Sequence, residues 1–242
     1  MLTESARWAR HDGNYDTVRA ILSPLAVVAA LVVQVFVVGI EAQAEIVISR
    51  FDGLERWRHV SFPKIDTQSE YQPADNGELL RVRSSAGASM LVFDQPFNPY
   101  ATPILAWRWR VTVPVVGADL TRQSGDDAPI RVYVAFRTPV EERNLFGRAW
   151  ARTQKRLYGQ IPPDTALSFV WSSQADPGSA FPSSYTDQQY LVIPEVATEE
   201  RGSRIAGSLG PGEWYDHSLN LVETYRHLFG SDPPNEAFIA VM

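Results

Sequence analysis

The sequence predicts an all-β protein: an antiparallel β-sandwich or jelly roll with one inserted basic helix and a short C-terminal helix, preceded by an N-terminal hydrophobic helix. The first observation is a pair of alternating runs between Trp107 and Phe136, WRWRVTV and IRVYVAF, joined by a polar loop. Alternation with a period of two is typical of strands with one buried face. The second observation is that short strand-like segments separated by turn residues recur from Glu45 onward, as in sandwiches and jelly rolls.

Each alternating run has an apolar face and a polar face. The apolar faces comprise Trp107, Trp109, Val111 and Val113 in the first run, and Ile130, Val132, Val134 and Phe136 in the second. The polar faces carry Arg108 and Arg110 in the first run, and Arg131 and Tyr133 in the second. We expect both runs to be long strands of one core sheet, with the arginine-rich face turned away from the core.

Shorter segments complete the predicted β-structure. The expected strands are 46–51, 57–62, 69–72, 78–84, 90–93, 166–172, 189–194, 214–219 and 238–242. Asn76-Gly77 lies between two of them, and this dipeptide favours a hairpin because both residues tolerate positive φ.

Two segments depart from the β pattern. Residues 141–157 place Phe146, Trp150, Thr153 and Leu157 at helical spacing and are rich in arginine. Such a basic helix could lie on an anionic surface or be an insertion that packs Trp150 onto the sandwich. Residues 221–229 predict a short helix that ends at Gly230, with Pro233-Pro234 beyond it.

Residues 1–44 are predicted to be a signal peptide or a membrane anchor, followed by a β-sandwich domain over residues 45–242. Residues 21–40 are almost wholly apolar, and Ala42-Gln43-Ala44 has the small-x-small pattern of a signal-peptidase site. Twenty such residues could also span a bilayer uncleaved, or form a buried helix of a soluble protein. The first two alternatives place the remainder outside the cytoplasm, in the periplasm or cell envelope. A retained anchor would be the protein's one membrane contact.

Composition excludes several classes of function. The chain has 242 residues, 45% of them hydrophobic, a formal charge of −6 and no cysteine. Disulfides and thiolate sites are therefore impossible, and the acidic balance does not favour nucleic-acid binding. G-x-S-x-G, P-loop, G-x-G-x-x-G and H-E-x-x-H motifs do not occur, and the four histidines lack metal-ligand spacing.

The acidic pair Asp126-Asp127 follows Gly125 at the mouth of a predicted core strand. Its carboxylates could satisfy backbone N–H groups of the loop, bind Ca²⁺, or contact a ligand. The pair alone could not form a glycosidase centre, because neighbours on an extended strand point to opposite faces. Apart from this possible Ca²⁺, the sequence predicts no cofactor.

An arginine-rich sheet face is the main candidate for ligand binding. If Arg81, Arg83, Arg108, Arg110, Arg131 and Arg137 lined one surface, an acidic protein would present a local cationic field suited to carboxylate, sulfate or phosphate. The alternative is a solvated face with cross-strand ion pairs. Tyr133 would be a ligand-facing ring on that surface, and Trp214 follows a glycine-rich stretch that could expose it at a loop.

Four stretches together resemble a bacterial family: W-R-W-R-V, G-D-D-A-P-I-R-V-Y-V-A-F, L-S-F-V-W, and G-E-W-Y followed by L-V-E-T-Y-R-H-L-F-G. The resemblance is to the domain-of-unknown-function family 3047 and covers residues 51–242. It implies a secreted or periplasmic sandwich of the jelly-roll kind, with no established activity. Members of the family usually continue past the strand that ends here at Met242, so the resemblance implies either that this strand is a poorly protected edge or that its partner strand is missing.

The favoured function is non-catalytic binding of a glycan, either neutral or anionic, or of another anionic envelope polymer. The candidate ligand-binding residues are Arg108, Arg110, Arg131, Tyr133 and Trp214, and the candidate metal ligands are Asp126 and Asp127. The first alternative is a polysaccharide hydrolase or lyase, which needs an opposed acid or base on the arginine face. The second is a structural partner in an envelope complex.

Overall fold

A computed structural model describes residues 51–62, 65–145, 148, 163–196 and 209–242. All of them belong to a compact unit that spans Gln43–Met242. The predicted N-terminal signal or anchor, the strand at 46–51 except Phe51, and most of the predicted basic helix lie outside the described residues. At the start of that helix, Val140–Glu142 forms a 3-10 turn.

The described part of the chain is mostly β, with one α-helix, α1 (Leu221–Phe229). Its eleven strands are β1 (Trp57–Ser61), β2 (Glu70–Ala74), β3 (Leu79–Arg83), β4 (Ser89–Phe93), β5 (Ile104–Trp109), β6 (Arg131–Arg137), β7 (Thr165–Val170), β8 (Ala180–Pro182), β9 (Gln189–Val192), β10 (Tyr215–Asn220) and β11 (Glu236–Val241). Only the short β8 was not predicted from the sequence. The predicted α-helix at 221–229 is confirmed, residue for residue.

The strands form one large sheet and two small ones. The seven-stranded sheet has the order β1-β4-β11-β6-β7-β9-β8, and β10-β5 and β2-β3 each form a two-stranded sheet. All pairs are antiparallel except β7 and β9, which run parallel. The large sheet is therefore mixed, and the expectation of a purely antiparallel architecture is wrong.

The two alternating runs do not belong to one sheet, contrary to the expectation. β5 pairs with β10, whereas β6 lies between β11 and β7 in the large sheet. The first strand also ends at Trp109, before Val111 and Val113. Alternation fixes which residues share a face of a strand but not which strand is its neighbour. Residues 110–130 form a connection long enough to pass from one sheet to the other.

The main core lies between the β5–β10 pair and the large sheet. Leu105 and Trp109 of β5 pack with β6 and β7 side chains, of which Val134, Phe136, Leu167 and Phe169 are fully buried. α1 closes this core from one side, with the ring centroids of Tyr225 and Phe136 4.8 Å apart. Most residues of the predicted apolar faces therefore do form the core, which lies between two sheets rather than on one; Val113 is the exception, at 77% exposure.

The predicted Asn-Gly hairpin is confirmed. β2 and β3 pair antiparallel, and the turn between them places Asn76 at φ 56° and Gly77 at φ 84°. Asparagine and glycine tolerate this left-handed backbone better than other residues do.

β11 is a central strand, not the poorly protected edge that was one implication of the family resemblance. It pairs with β6 along six residues and with β4 through Ala240 and Val241. In addition, the backbone groups of Met242 exchange two hydrogen bonds with those of Arg131, at 2.8 and 3.0 Å. Within the described ranges, no helix has the length and apolar character needed to cross a bilayer.

Candidate functional site

The outer face of the β5–β10 pair brings three of the predicted ligand-binding residues together. In the register, Asp216 lies opposite Arg108 and His217 opposite Trp107, so successive positions alternate between solvent and core. Extending this register by one pair of residues places Trp214 across from Arg110 and diagonal to Arg108. Long side chains on such diagonal positions are within reach of one another.

We call Arg108, Arg110, Trp214 and Asp216 the Trp214 cluster. The guanidinium carbon of Arg108 lies 4.7 Å from the centre of the Trp214 ring, and that of Arg110 lies 4.9 Å from it. Both distances are within the range of cation–π attraction, about 6 Å. Arg108 and Arg110 are exposed and Trp214 is half-buried, so the cluster is open to solvent.

The cluster carries a net positive charge on an acidic protein. Nε of Arg108 lies 3.6 Å from Oδ1 of Asp216, and the two side chains are 56% and 61% exposed. An ion pair this exposed contributes at most about 1 kcal/mol. Among the described residues Arg110 has no carboxylate partner, so the two arginines exceed the single acid by one charge.

This arrangement can orient a planar anion. A cation–π contact uses the flat face of a guanidinium, whereas the N–H donors lie in its plane and point outward. The ring of Trp214 thus restrains the two arginines without consuming their donors. A carboxylate or sulfate can then be held by two N–H groups at once.

Arg131, by contrast, is not on an exposed face. Its side chain is 6% exposed, and its Nη2 donates to Oδ1 of Asp126 at 2.6 Å and to the carbonyl of Asp126 at 3.1 Å. Burial lowers the pKa of Arg131, whereas its neighbours Tyr133 and Asp126 raise that pKa by a larger amount, so the net shift is upward. The expectation that Arg131 contacts a ligand is therefore corrected: it holds the loop before β6 onto the sheet.

Tyr133 lies on the outer face of the large sheet, away from the Trp214 cluster. It is half-buried, and its hydroxyl donates to Sδ of Met242 at 3.6 Å. Because β6 and β5 belong to different sheets, Tyr133 does not share a surface with Arg108 and Arg110.

The acidic pair divides between core and solvent. The side chain of Asp126 is 4% exposed and forms an ion pair with Arg131, whereas Asp127 is exposed to solvent. In the part of the chain that the structure describes, no group of three or more histidine or acidic side chains could hold a metal ion. The geometry thus gives Asp126 a structural role, because its carboxylate is engaged with Arg131.

The predicted single arginine face is also corrected. Arg81 and Arg83 are on β3, Arg108 is on β5, and Arg131 and Arg137 are on β6, so they lie in three different sheets. Arg137 is paired with Glu236, at 2.7 Å between Nη2 and Oε2. The cationic surface of the β5–β10 pair therefore reduces to Arg108 and Arg110.

His217 lies directly behind the cluster, on the core face of β10. It is 2% exposed and packs between Trp107 and Trp109, with ring centroids 5.0 and 5.1 Å away. Its Nδ1 donates to the carbonyl of Glu195 at 2.7 Å, and Nε2 has no described partner. Burial lowers the pKa of His217, so the ring is neutral near pH 7.

A family model described as "Protein of unknown function (DUF3047)" matches residues 55–242. The chain belongs to this family. No curated protein and no solved structure gives a significant match. The matched region includes the whole of the Trp214 cluster, so the cluster lies within the DUF3047 domain itself.

One residue of the Trp214 cluster was missed from the sequence. Asp216 was overlooked because it becomes a neighbour of Arg108 only through the β5–β10 register. The core position of His217, behind the cluster, was not predicted either. The alternation in YDHSLN, with His217 in step with Tyr215 and Leu219, is the sequence feature that could have placed it in the core.

Proposed function

We propose that this DUF3047 protein is an exported protein of the periplasm or cell envelope that binds an anionic glycan without catalysing a reaction. The domain would be a jelly-roll-like sandwich, and the Trp214 cluster would be its binding face. The observation that carries the proposal is the placement of two guanidinium groups within 5 Å of one partly exposed tryptophan ring.

Acidic sugars offer the two features that this cluster would recognise. Their carboxylate or sulfate groups match the fork of donors on an arginine, and the C–H faces of a pyranose match an aromatic ring. Charged hydrogen bonds contribute about 1.5–3 kcal/mol each, more than an exposed cation–π contact of about 0.5–1 kcal/mol. Because the N–H donors stay available while the arginines lie against the ring, a bound anion would gain these hydrogen bonds without the loss of the arginine–tryptophan contact.

The export part of the proposal depends on residues 1–44. The apolar stretch at 21–40 and Ala42-Gln43-Ala44 support either a cleaved signal peptide or a retained anchor. Both would bring the DUF3047 domain to the compartment in which envelope glycans occur.

The small number of carboxylates on the binding face favours glycan binding over glycoside hydrolysis. Glycosidases use two carboxyl groups that face each other across the scissile bond. On the described outer face of β5 and β10, Asp216 is the one carboxylate, and it is paired with Arg108.

The test is a glycan-array screen of the full-length chain, with uronate-containing, sulfated and neutral sugars at two salt concentrations. Arg108→Ala, Arg110→Ala and Trp214→Ala are compared with wild type. Arg81→Ala combined with Arg83→Ala is the matched control. Arg81 and Arg83 have the same spacing on an exposed strand, but no aromatic ring stacks on them in the described structure.

We expect binding to acidic glycans that weakens with salt, and a loss of roughly 10- to 100-fold for either single arginine variant of the cluster. The Arg81/Arg83 variant should bind as wild type does. If all variants bind equally, or if the folded protein binds none of the acidic glycans, the proposal is wrong.

A further inference from the structure

The loop that follows β5 exposes two valines. Val113 is 77% exposed and Val116 is 95% exposed, the largest exposures among the large hydrophobic side chains of the described residues together with Leu145. A side chain at 95% exposure has almost no neighbours, so Val116 projects from the surface as a convex tip. We call residues 113–117 the valine tip.

The rest of the loop holds this tip in place. Val115 and Ala118 point inward and line a small cavity together with Leu120 and Trp171. Gly117 takes φ 76°, a left-handed conformation that costs glycine little, and reverses the chain between these anchors. The outward direction of Val116 therefore follows from the inward placement of Val115 and Ala118 on either side of it.

The valine tip lies beside the Trp214 cluster. The backbone N–H of Gly212 donates to the carbonyl of Val111 at 2.7 Å, which joins the segment before Trp214 to the start of the loop. From Arg108 to Ala118 the chain has two arginines and no acidic residue. The next acid, Asp119, accepts a hydrogen bond from Nε of Arg122 at 2.5 Å, and the same carboxylate accepts from Thr121.

We propose that the valine tip inserts into the interfacial region of a phospholipid bilayer, with Arg110 and Trp214 at the level of the headgroups. A convex apolar tip suits the soft boundary between headgroups and acyl chains, which adapts to a projecting side chain. Tryptophan and arginine are favoured at that boundary, where a ring or an aliphatic stem is buried while the polar end stays hydrated.

The insertion of two valines gives only weak membrane binding by itself. Two valines bury less apolar area than one acyl chain, and even one acyl chain binds a membrane only reversibly. The inserted tip would orient the domain on a membrane rather than anchor it. This proposal does not require that the Trp214 cluster bind a glycan, and the two can fail separately.

The test uses the absence of cysteine in the chain, which allows one label at a chosen site. Val116→Cys carries an environment-sensitive fluorophore in the full-length protein, mixed with vesicles of phosphatidylcholine and phosphatidylglycerol. Ile104→Cys is the matched control. Ile104 is also exposed, at 52%, but begins β5, roughly 17 Å from the end of that strand.

We expect the label at 116 to shift its emission to shorter wavelength and to be quenched by a nitroxide on the lipid acyl chain, while the label at 104 does neither. Adding Val113→Asp to the Val116→Cys protein should abolish both changes, because a carboxylate at the tip resists leaving water. If the label at 116 stays as water-exposed as the label at 104, the proposal is overturned. Equal quenching at both sites, or quenching unaffected by Val113→Asp, also overturns it.

Discussion

At the residue scale, the pair of Arg131 and Asp126 differs in kind from the pair of Arg108 and Asp216. The first is almost completely buried, with side chains 6% and 4% exposed, and the second is mostly solvated. The attraction between two buried, opposite charges in contact offsets the hydration free energy that each loses on burial. Removing one of them leaves the other uncompensated in the interior, which costs far more than breaking a surface pair.

Asp126→Ala should therefore destabilise the protein by about 3–5 kcal/mol, whereas Asp216→Ala should cost less than about 1 kcal/mol. Urea unfolding followed by tryptophan fluorescence measures both. The double variant Arg131→Met with Asp126→Ala should regain part of the loss, since it removes the stranded charge. Similar costs for the two single variants, or a stability that rises when Ca²⁺ is added to wild type, would contradict the structural role of Asp126.

The sequence could identify some of these residues but not their neighbours. Alternation correctly placed Arg108 of β5 and Arg110, just beyond its end, on one side of the chain and the core residue Trp109 on the other. It also placed Arg131 on the polar face of β6, which is correct within that strand. The outer side of β6 is covered at that point by the loop that contains Asp126, and a contact of this kind between a loop and a sheet has no periodic pattern in the sequence.

At the element scale, the junction between β10 and α1 depends on one side chain. Asn220 ends β10 opposite Ile104, and its Oδ1 also accepts from the backbone N–H groups of Val222 and Glu223, at 3.0 and 3.2 Å. These two donors have no partners within the helix. Gly230 closes the other end of α1 at φ 67°. The helix that covers the core next to β6 is thus capped at both ends.

Asn220→Ala should lower the free energy of unfolding by about 1 kcal/mol, because the two N–H groups lose their acceptor. Asn220→Asp is the matched control, since aspartate caps a helix about as well and should leave the stability near that of wild type. Thermal and urea unfolding of the three proteins gives the comparison. A loss as large in the aspartate variant as in the alanine variant would show that the cap is not the cause.

Single elements were easier to predict than their partners. The bounds of α1 follow from local features, namely an apolar stripe, a capping residue and a terminal glycine. Most strands follow from alternation and turn residues. The assignment of β5 and β6 to different sheets, and the parallel pairing of β7 with β9, depend on contacts between residues distant in the chain. Local propensity does not encode such contacts.

At the scale of the whole molecule, the last strand joins the two parts of the large sheet. β1 and β4 lie on one side of β11, and β6, β7, β9 and β8 lie on the other. In the strand order, β4 meets β6 only through β11. Ala237 of β11 is fully buried and belongs to the main core. Val241 packs against a separate, smaller group of buried hydrophobic side chains that includes Trp57 and Phe93. The sheet is therefore incomplete until the final residues of this chain are in place.

A chain that ends at Asn235 should consequently lack a cooperative unfolding transition and the near-ultraviolet circular dichroism of its packed tryptophans. Ile239→Pro in the full-length chain should have a similar though smaller effect, because proline removes a donor from a central strand. Glu236→Gln is the control, since it changes only a partly exposed ion pair with Arg137 at the start of β11. Limited proteolysis should cut the shortened chain throughout its sequence and leave the control largely intact. Cooperative unfolding of the shortened chain would mean that β4 and β6 can associate without β11, and that the sheet order is not required for the fold.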